Sequence, residues 1–156
     1  MIIGIDPGLS GALALLDGDE CVDLWDMPIS EKTYGKGKEV NAFLLADIIH
    51  DAVQKADGNL TAIIEQVSAM PGQGVSSMFA FGAAYGTVRG VLGAMGIPTT
   101  QVTPQRWKRA EGLTGRDKDA SRTKAISEFP EVRHRLHRKK DVGRADAILI
   151  ARYGTG

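Results

Sequence analysis

Three acidic residues stand at positions where the surrounding sequence is apolar. Asp6 follows the strand-like run 2–5, Glu65 follows the run 60–64, and Asp146 has apolar neighbours on its face of a predicted helix. Burying an unpaired carboxylate is costly, so each acid needs a partner such as a metal ion or a phosphate-metal complex. Like-charged acids can share one cleft only with cations between them, and all-oxygen ligation selects hard ions such as Mg²⁺ or Mn²⁺. The sequence therefore predicts a divalent metal site.

Two of these acids also have structural interpretations. Asp6 precedes a Pro-Gly pair and would stabilise that turn, and Asp146 would form a buried salt bridge with Arg89 or Arg152. A fourth acid, Asp141, stands at the predicted N-cap of the last helix, where capping alone would explain it. It is offset from Asp146 by about 140° on an ideal helix. It joins the cluster only if the helix begins after it, and we favour ligation over capping.

The elements that position these acids follow from hydrophobic periodicity and turn residues. Three antiparallel strands are predicted at 1–6, about 11–16 and about 21–26, followed by an exposed loop at 28–40. After this loop, the pattern predicts a helix capped by Asn41 and two further strands at 60–64 and 97–102. It also predicts four more helices, at about 76–95, 103–110, 119–129 and 142–153. A flexible loop is expected at 67–75 and an irregular basic segment at 130–140.

Strands joined by helical crossovers are parallel. The sequence therefore predicts an α/β fold in which an antiparallel meander extends a parallel sheet, giving a mixed five-stranded sheet flanked by helices in a single domain, 1–156. Asp6 and Glu65 then emerge at the same edge, where open α/β sheets bind ligands.

Glycines recur at four-residue spacing in the helix at 76–95, as Gly82, Gly86 and Gly90. Because glycine is a poor helix former, three on one face indicate a close backbone approach. The pattern alone leaves two partners open, the domain's own sheet or a second copy of the chain.

Composition limits the class of protein. The single Cys21 rules out a disulfide framework and fits a reducing cytoplasm, and no run of transmembrane length or leader is expected. The zero net charge conceals an asymmetry, because residues 1–100 hold 5 Lys and Arg against 12 Asp and Glu, whereas 101–156 hold 14 against 7. A basic half of this kind favours an anionic partner.

Three motifs in order resemble a known family. Ile-Gly-Ile-Asp-Pro-Gly at 3–8, Ile-Glu-Gln-Val at 64–67 and Arg-Ala-Asp-Ala-Ile-Leu-Ile-Ala at 144–151 look like the RuvC-type Holliday junction resolvases. These enzymes belong to the ribonuclease H/retroviral-integrase superfamily. The resemblance spans essentially the whole chain and is closest to the compact forms that bacteriophages encode.

The resemblance implies a ribonuclease H-like fold with catalytic, metal-binding carboxylates at Asp6, Glu65 and Asp146. The family's fourth acid lies three residues before the last one, where this chain has Gly143, so Asp141 is the expected substitute. The family's aromatic wedge is replaced by Ser68. Unstacking of bases would then fall to Met70, or to Met78 and Phe79.

The implied activity is paired, symmetric hydrolysis of a four-way DNA junction by a homodimer, giving 5′-phosphate ends. Two Mg²⁺ ions per site, replaceable by Mn²⁺, would be held with Asp6 bridging both, Glu65 on one, and Asp146 with Asp141 on the other. Lys118 would offset developing charge or orient the water. The expected DNA contacts are Lys108, Lys118, Arg122, Arg138, Lys139 and Lys140. No membrane and no small-molecule substrate is expected.

Three other functions remain open at this stage. A ribonuclease H-fold nuclease acting on other branched DNA or on RNA would use the same acids. An actin-like kinase would use the Asp6 turn to hold phosphates, but the chain lacks the second such domain. A catalytically inactive junction-binding module would normally have lost one of the acids.

Overall fold

The computed structural model describes residues 1–156, and it contains every strand and helix that the sequence predicts, in the predicted order, together with two further short strands. The strands are β1 (Ile2–Asp6), β2 (Ala12–Asp17), β3 (Glu20–Asp26), β4 (Ile29–Glu31), β5 (Lys38–Val40), β6 (Thr61–Glu65) and β7 (Thr99–Val102). The helices are α1 (Ala42–Lys55), α2 (Val75–Ala94), α3 (Pro104–Ala110), α4 (Asp119–Glu128) and α5 (Val142–Tyr153). Short 3-10 turns occupy Pro130–Arg135 and Lys139–Asp141.

The main sheet has the strand order β3-β2-β1-β6-β7. The first three strands are antiparallel, whereas β1, β6 and β7 are parallel, which confirms the predicted mixed α/β sheet. Ile5 lies opposite Ile64 in the β1–β6 register. Asp6 and Glu65, the next residues along, therefore leave the sheet at the same edge, as the sequence predicts.

Both faces of the sheet are covered by apolar side chains. On one face, α1 and α2 bury Leu45, Ile49, Val88 and Leu92 against the strands. On the other face α5 crosses β1 and β2, and its residues 147–151 are completely buried. This burial fixes α5, and with it Asp146, against the sheet.

The contact between α5 and β1 depends on Gly4. A Cβ atom at this position would lie 2.2 Å from the carbonyl oxygen of Ala147 and 2.3 Å from the backbone nitrogen of Ala151. Because backbone atoms cannot move aside, only glycine allows the helix to approach the strand this closely. Asp146 on α5 is thereby brought towards the end of β1.

The exposed loop predicted at 28–40 contains a hairpin instead. β4 and β5 pair as a separate two-stranded antiparallel sheet, with Ile29 opposite Val40 and Glu31 opposite Lys38. Gly35 and Gly37 adopt φ values of 84° and 105°, which turn the chain back on itself. The short strands carry alternating charges, so hydrophobic periodicity did not reveal them.

The glycine stripe of α2 faces outward. Gly82, Gly86 and Gly90 are exposed, and a Cβ atom at any of them would meet no atom within 4 Å. Packing against the domain's own sheet is therefore not the reason for these glycines. The contact with a second copy of the chain stays a prediction.

A membrane-spanning segment was not expected, and none of the helices in this structure combines the length and apolarity needed to cross a bilayer.

Candidate active site

A cleft of about 980 Å³ opens at the edge of the sheet where β1 ends. Asp6 and Asp146 both line it, together with the loop 8–11 and the first residues of α5. Basic side chains border the same cleft; these are Lys108, Arg116, Lys118, Lys139 and Lys140. The cleft thus combines buried acids with a cationic rim.

Asp6 lies at the end of β1, where the backbone N–H of Gly8 donates a hydrogen bond of 3.3 Å to its Oδ1. This bond stabilises the Pro-Gly turn, as the structural interpretation of Asp6 predicts. Burial, reinforced by the charges of Glu65 and Asp146, raises the pKa of Asp6 to about 7. A role in the turn does not explain why two other acids lie near Asp6, and a carboxyl with a perturbed pKa in a cleft is a candidate for a functional site.

Asp146 faces the cleft from α5 and takes part in no salt bridge. Burial raises its pKa to about 6, while Ser121 and Lys108 offset part of the effect. Its Oδ1 atom is buried without a hydrogen-bond partner. Arg152 pairs with Glu111 and Glu128, and the guanidinium of Arg89 lies over the Tyr85 ring.

The salt bridge considered for Asp146 is therefore wrong. An unpaired, buried carboxylate oxygen normally has an explanation such as an ion.

Glu65 is held by a contact that the sequence analysis missed. The indole Nε1 of Trp107 donates a hydrogen bond of 2.5 Å to Glu65 Oε2. Burial raises the pKa of Glu65, and this bond together with Lys108 opposes the rise. Trp107 is fully buried on α3, and a buried indole N–H requires an acceptor. The sequence therefore indicates that a buried Trp107 needs an acceptor. It does not indicate which residue supplies it, because Glu65 lies 42 residues away along the chain.

These three carboxylates fit a hard divalent cation by their chemistry. They offer only oxygen donors, the raised pKa values reflect mutual repulsion and burial, and one oxygen has no partner. No three acidic, His or Cys side chains converge closely enough in this arrangement to hold one ion together. Glu65 in this arrangement accepts a hydrogen bond from Trp107 instead.

Asp141 is not part of this cluster. Its carboxylate is 2% exposed and is bound by Arg138, through the backbone N–H at 2.9 Å and the guanidinium at 2.8 Å. These bonds, with the charge of Arg144, hold its pKa below the usual value despite burial. Its side chain also makes no capping bond to α5. Neither role predicted for Asp141, metal ligand or helix cap, is seen in this arrangement.

The position three residues before Asp146 cannot carry an acid here. A Cβ atom at Gly143 would lie 2.3 Å from the carbonyl oxygen of Ser10. The loop that follows β1 rests directly on the start of α5, so this departure from the family pattern has a steric cause.

Two of the residues that we expected to contact DNA form ion pairs within the chain. Arg122 forms a two-pronged ion pair with Asp119 and also donates to the carbonyl oxygens of Leu136 and His137. Arg138 is paired with Asp141. Within the chain these two arginines tie together the backbone around the cleft, and their contact with DNA stays a prediction.

The four expected lysines do border the cleft: Lys108, Lys118, Lys139 and Lys140. Lys108 is the cation whose charge lowers the pKa of all three acids. Lys118 is exposed on the rim and has no such effect on them. Lys108 is therefore better placed than Lys118 to neutralise charge at the acids.

Comparisons with known proteins point to one family. No family model matches the chain. The Holliday junction resolvase MOC1, chloroplastic, of Chlamydomonas reinhardtii is 30% identical over 153 residues, which cover 86% of this chain and 17% of that protein. The chain thus spans less than a fifth of this relative's length.

Solved structures agree on the fold. The structure of T. thermophilus RuvC in complex with a Holliday junction substrate superposes with a TM-score of 0.58 and 14% sequence identity, covering 99% of this chain and 96% of that chain. A second T. thermophilus RuvC structure gives a TM-score of 0.53 at the same identity and coverage. The chain therefore has the RuvC-like, ribonuclease H-like fold, and the resemblance to RuvC-type resolvases expected from its motifs is confirmed.

The raised carboxylate pKa values predict a pH-dependent stability. Because the folded-state pKa values of Asp6 and Asp146 exceed the ordinary value of 3.8, their protonation favours the fold. Without divalent ions, the free energy of unfolding should therefore fall as pH rises from about 4 to about 7. Urea denaturation across this range should show a shallower fall for Asp6→Asn. Mg²⁺ should stabilise wild type more at about pH 8 than at about pH 5.

The exposed Asp17 supplies a matched control, since Asp17→Asn should leave the pH slope unchanged. If Asp6→Asn and Asp17→Asn gave the same slope as wild type, the buried acids would not be the source of the pH dependence.

The bond from Trp107 to Glu65 predicts an effect on metal affinity. Trp107→Phe keeps a buried ring but removes the N–H, so Glu65 loses the group that orients it. Removal of such a supporting bond typically weakens metal binding by about 10- to 100-fold. Calorimetric titration with Mn²⁺ should show this loss for Trp107→Phe and not for Trp25→Phe, the other tryptophan in the chain. Equal affinities for the two variants would contradict a supporting role for Trp107.

Proposed function

We propose that this chain is a metal-dependent endonuclease that resolves four-way DNA junctions by paired, symmetric hydrolysis of phosphodiester bonds, leaving 5′-phosphate ends. The observation that carries the proposal is the group of partly buried acids at one sheet edge, Asp6, Glu65 and Asp146. Asp6 and Asp146 line a cleft that is rimmed with lysines. The RuvC-like fold and the sequence similarity to a Holliday junction resolvase support the same activity.

The three acids would hold Mg²⁺, for which Mn²⁺ would substitute, as two ions in each site. When bound, such a pair of ions activates a water and stabilises the leaving 3′ oxygen of an in-line displacement. Asp6 lies on the middle strand of the sheet, because β1 is between β2 and β6. The charges of Glu65 and Asp146 both raise the pKa of Asp6. Lys108 would counter the negative charge of the scissile phosphate, and Lys118 would act from the rim.

The rest of the rim would bind the DNA backbone. Arg116, Lys139 and Lys140 border the cleft on the side of α4 and α5, and none of them forms an ion pair within the chain. Contacts of lysine and arginine with phosphates position a duplex but do not read its sequence. The cleft is therefore suited to recognition of DNA shape.

A homodimer would supply the second active site that paired cuts require. The exposed stripe of Gly82, Gly86 and Gly90 gives α2 a surface on which the backbone of another helix can approach closely. Symmetric dimers repeat one self-complementary patch, and a helix face with small residues is such a patch.

A second candidate is a nuclease of the same fold that acts on other branched DNA or on RNA. The observation that favours it is Ser68, which stands where the family carries an aromatic wedge. Exposed apolar side chains lie nearby, since Met70 and Phe79 are 59% and 77% exposed. Parallel cleavage assays on four-way junctions, flaps and RNA–DNA hybrids separate the two candidates.

Asp6→Asn should abolish cleavage and leave junction binding intact. The substitution removes the acid whose charge interacts with both other acids, while the lysine rim is unchanged. The lost transition-state stabilisation should lower the cleavage rate by about 100-fold or more. Glu65→Gln and Asp146→Asn should behave in the same way. The measurement is cleavage of a synthetic mobile junction with Mg²⁺, with binding followed by gel shift. Asp17→Asn is the control, and a rate for Asp6→Asn within tenfold of wild type would refute the site.

Gly86→Leu should convert the dimer to monomers. A Cβ atom at Gly86 meets open space, so the monomer should keep its stability while the approach of a second helix is blocked. On a cruciform plasmid, which reabsorbs its junction after one nick, the variant should give nicked circles where wild type gives linear product. Sedimentation and the plasmid assay measure the two effects. A Gly86→Leu protein that stays dimeric and linearises the plasmid would place the dimer contact elsewhere.

A further inference from the structure

The tip of the β4–β5 hairpin is a basic island in an acidic half of the chain. Residues 1–100 contain only five Lys and Arg, and three of them are Lys32, Lys36 and Lys38 in the segment 32–38, which is flanked by Glu31 and Glu39. None of the three forms an ion pair. Three unpaired positive charges close together create a local attraction for an anion.

The hairpin leaves the main sheet at the edge that carries the acids. Asp26 at the end of β3 pairs with Ala12, and Ala12 pairs with Asp6. Neighbouring strands are about 4.8 Å apart, so the end of β3 lies roughly 10 Å from Asp6. The backbone N–H of Met27 also donates 3.0 Å to the carbonyl oxygen of Gly11, in the loop that borders the cleft. The hairpin is thus attached directly to the candidate active site.

The stem of the hairpin is fixed, whereas its tip is open. The backbone N–H of Asn41 donates to Pro28 at 2.8 Å, and Val40 is buried in the core beside α1 and α2. The N–H of Lys32 donates to Gly37 at 2.9 Å and closes the turn. Tyr34 at the tip is 89% exposed, and its hydroxyl makes no hydrogen bond within the chain. A rigid stem therefore presents an aromatic ring among lysines to solvent.

We propose that this hairpin is a DNA-binding arm that holds the strand next to the cleavage site, with Lys32, Lys36 and Lys38 on backbone phosphates and the Tyr34 ring stacked on an unpaired base. The proposal rests on the proposed function, since it assigns the arm to the same substrate. Aromatic rings combined with cations bind single-stranded nucleic acid without sequence preference, because every base offers a π face. Continuous stacking is interrupted where a junction branches, so a base there can be unpaired at lower cost than one inside a duplex.

The lysines are tested through the salt dependence of binding. Replacing Lys32, Lys36 and Lys38 together with Gln should reduce the slope of log K against log salt by about 2 to 3, because each phosphate contact contributes about 0.9. Fluorescence anisotropy with a labelled four-way junction, in the absence of divalent ions, measures the slope. Lys55→Gln is the control, since Lys55 is paired with Asp23 and Asp51 on the protein surface, and its slope should match wild type.

Tyr34 is tested with variants that separate the ring from the hydroxyl. Tyr34→Phe should bind the junction like wild type, whereas Tyr34→Ala should bind about tenfold more weakly. On a continuous duplex without unpaired bases, Tyr34→Ala and wild type should bind equally. A junction with 2-aminopurine at the branch should show its fluorescence quenched by wild type and Tyr34→Phe, but not by Tyr34→Ala.

Cleavage of the junction by wild type is measured alongside, so that the two proposals can fail separately. Wild type that cleaves, with hairpin variants that keep its salt slope and affinity, would overturn the arm and leave the proposed function in place. Wild type that neither binds nor cleaves a junction would overturn both. If the lysine variant became monomeric in sedimentation while wild type was dimeric, the hairpin would be a protein interface, and the assignment to DNA would fail.

Discussion

The architecture depends on one electrostatic constraint, the burial of like-charged carboxylates at a single sheet edge. Asp6, Glu65 and Asp146 are each pushed towards the neutral form by burial, and Asp6 also by the other two. Apolar packing alone would not select such an arrangement, because every one of these charges costs free energy when it leaves water. Positive charge at this edge offsets part of the cost, and the chain itself supplies some of it through Lys108. The acids are held in place by strands and helices whose own stability comes from the two cores.

Close backbone contacts bring the third acid to the other two. Gly4 lets α5 lie against β1, and Gly143 lets the loop after Asp6 rest on the first turn of α5. Both contacts join the same helix to the same strand–loop unit. As a result Asp6 and Asp146 are positioned by one rigid junction, whereas Glu65 is positioned separately by β6 and by the bond from Trp107.

Local signals in the sequence predicted the elements well, and contacts between distant residues account for what was missed. Asn41 caps α1 as predicted, with its side-chain oxygen accepting from the backbone N–H of Leu44, because this signal acts within one turn. The Trp107–Glu65 bond joins residues 42 apart, which no local pattern can indicate. The hairpin was missed because its strands are three residues long and mostly polar.

The charged residues of the site also differ in whether a local sequence pattern can identify their role. Asp6 and Glu65 were singled out because each ends an apolar run, and Asp146 because its neighbours on one face of the helix are apolar. Arg122 and Arg138 could not be separated from the lysines by composition. The pair of Arg122 with Asp119 forms within α4. The bonds of Arg122 to the carbonyl oxygens of Leu136 and His137, and the pair of Arg138 with Asp141, exist only once the chain between α4 and α5 has folded.

The bond between Trp107 and Glu65 also gives the protein a built-in optical probe. Indole emission responds to the charge and polarity around the ring, and the Trp107 ring has a carboxylate at its N–H and the ammonium of Lys108 5.3 Å from its centroid. The second indole, Trp25, lies beside Lys55 and belongs to β3. Any event that changes the charge on Glu65 therefore changes the surroundings of one tryptophan and leaves the other as an internal reference, so the state of the acidic edge can be followed without a label.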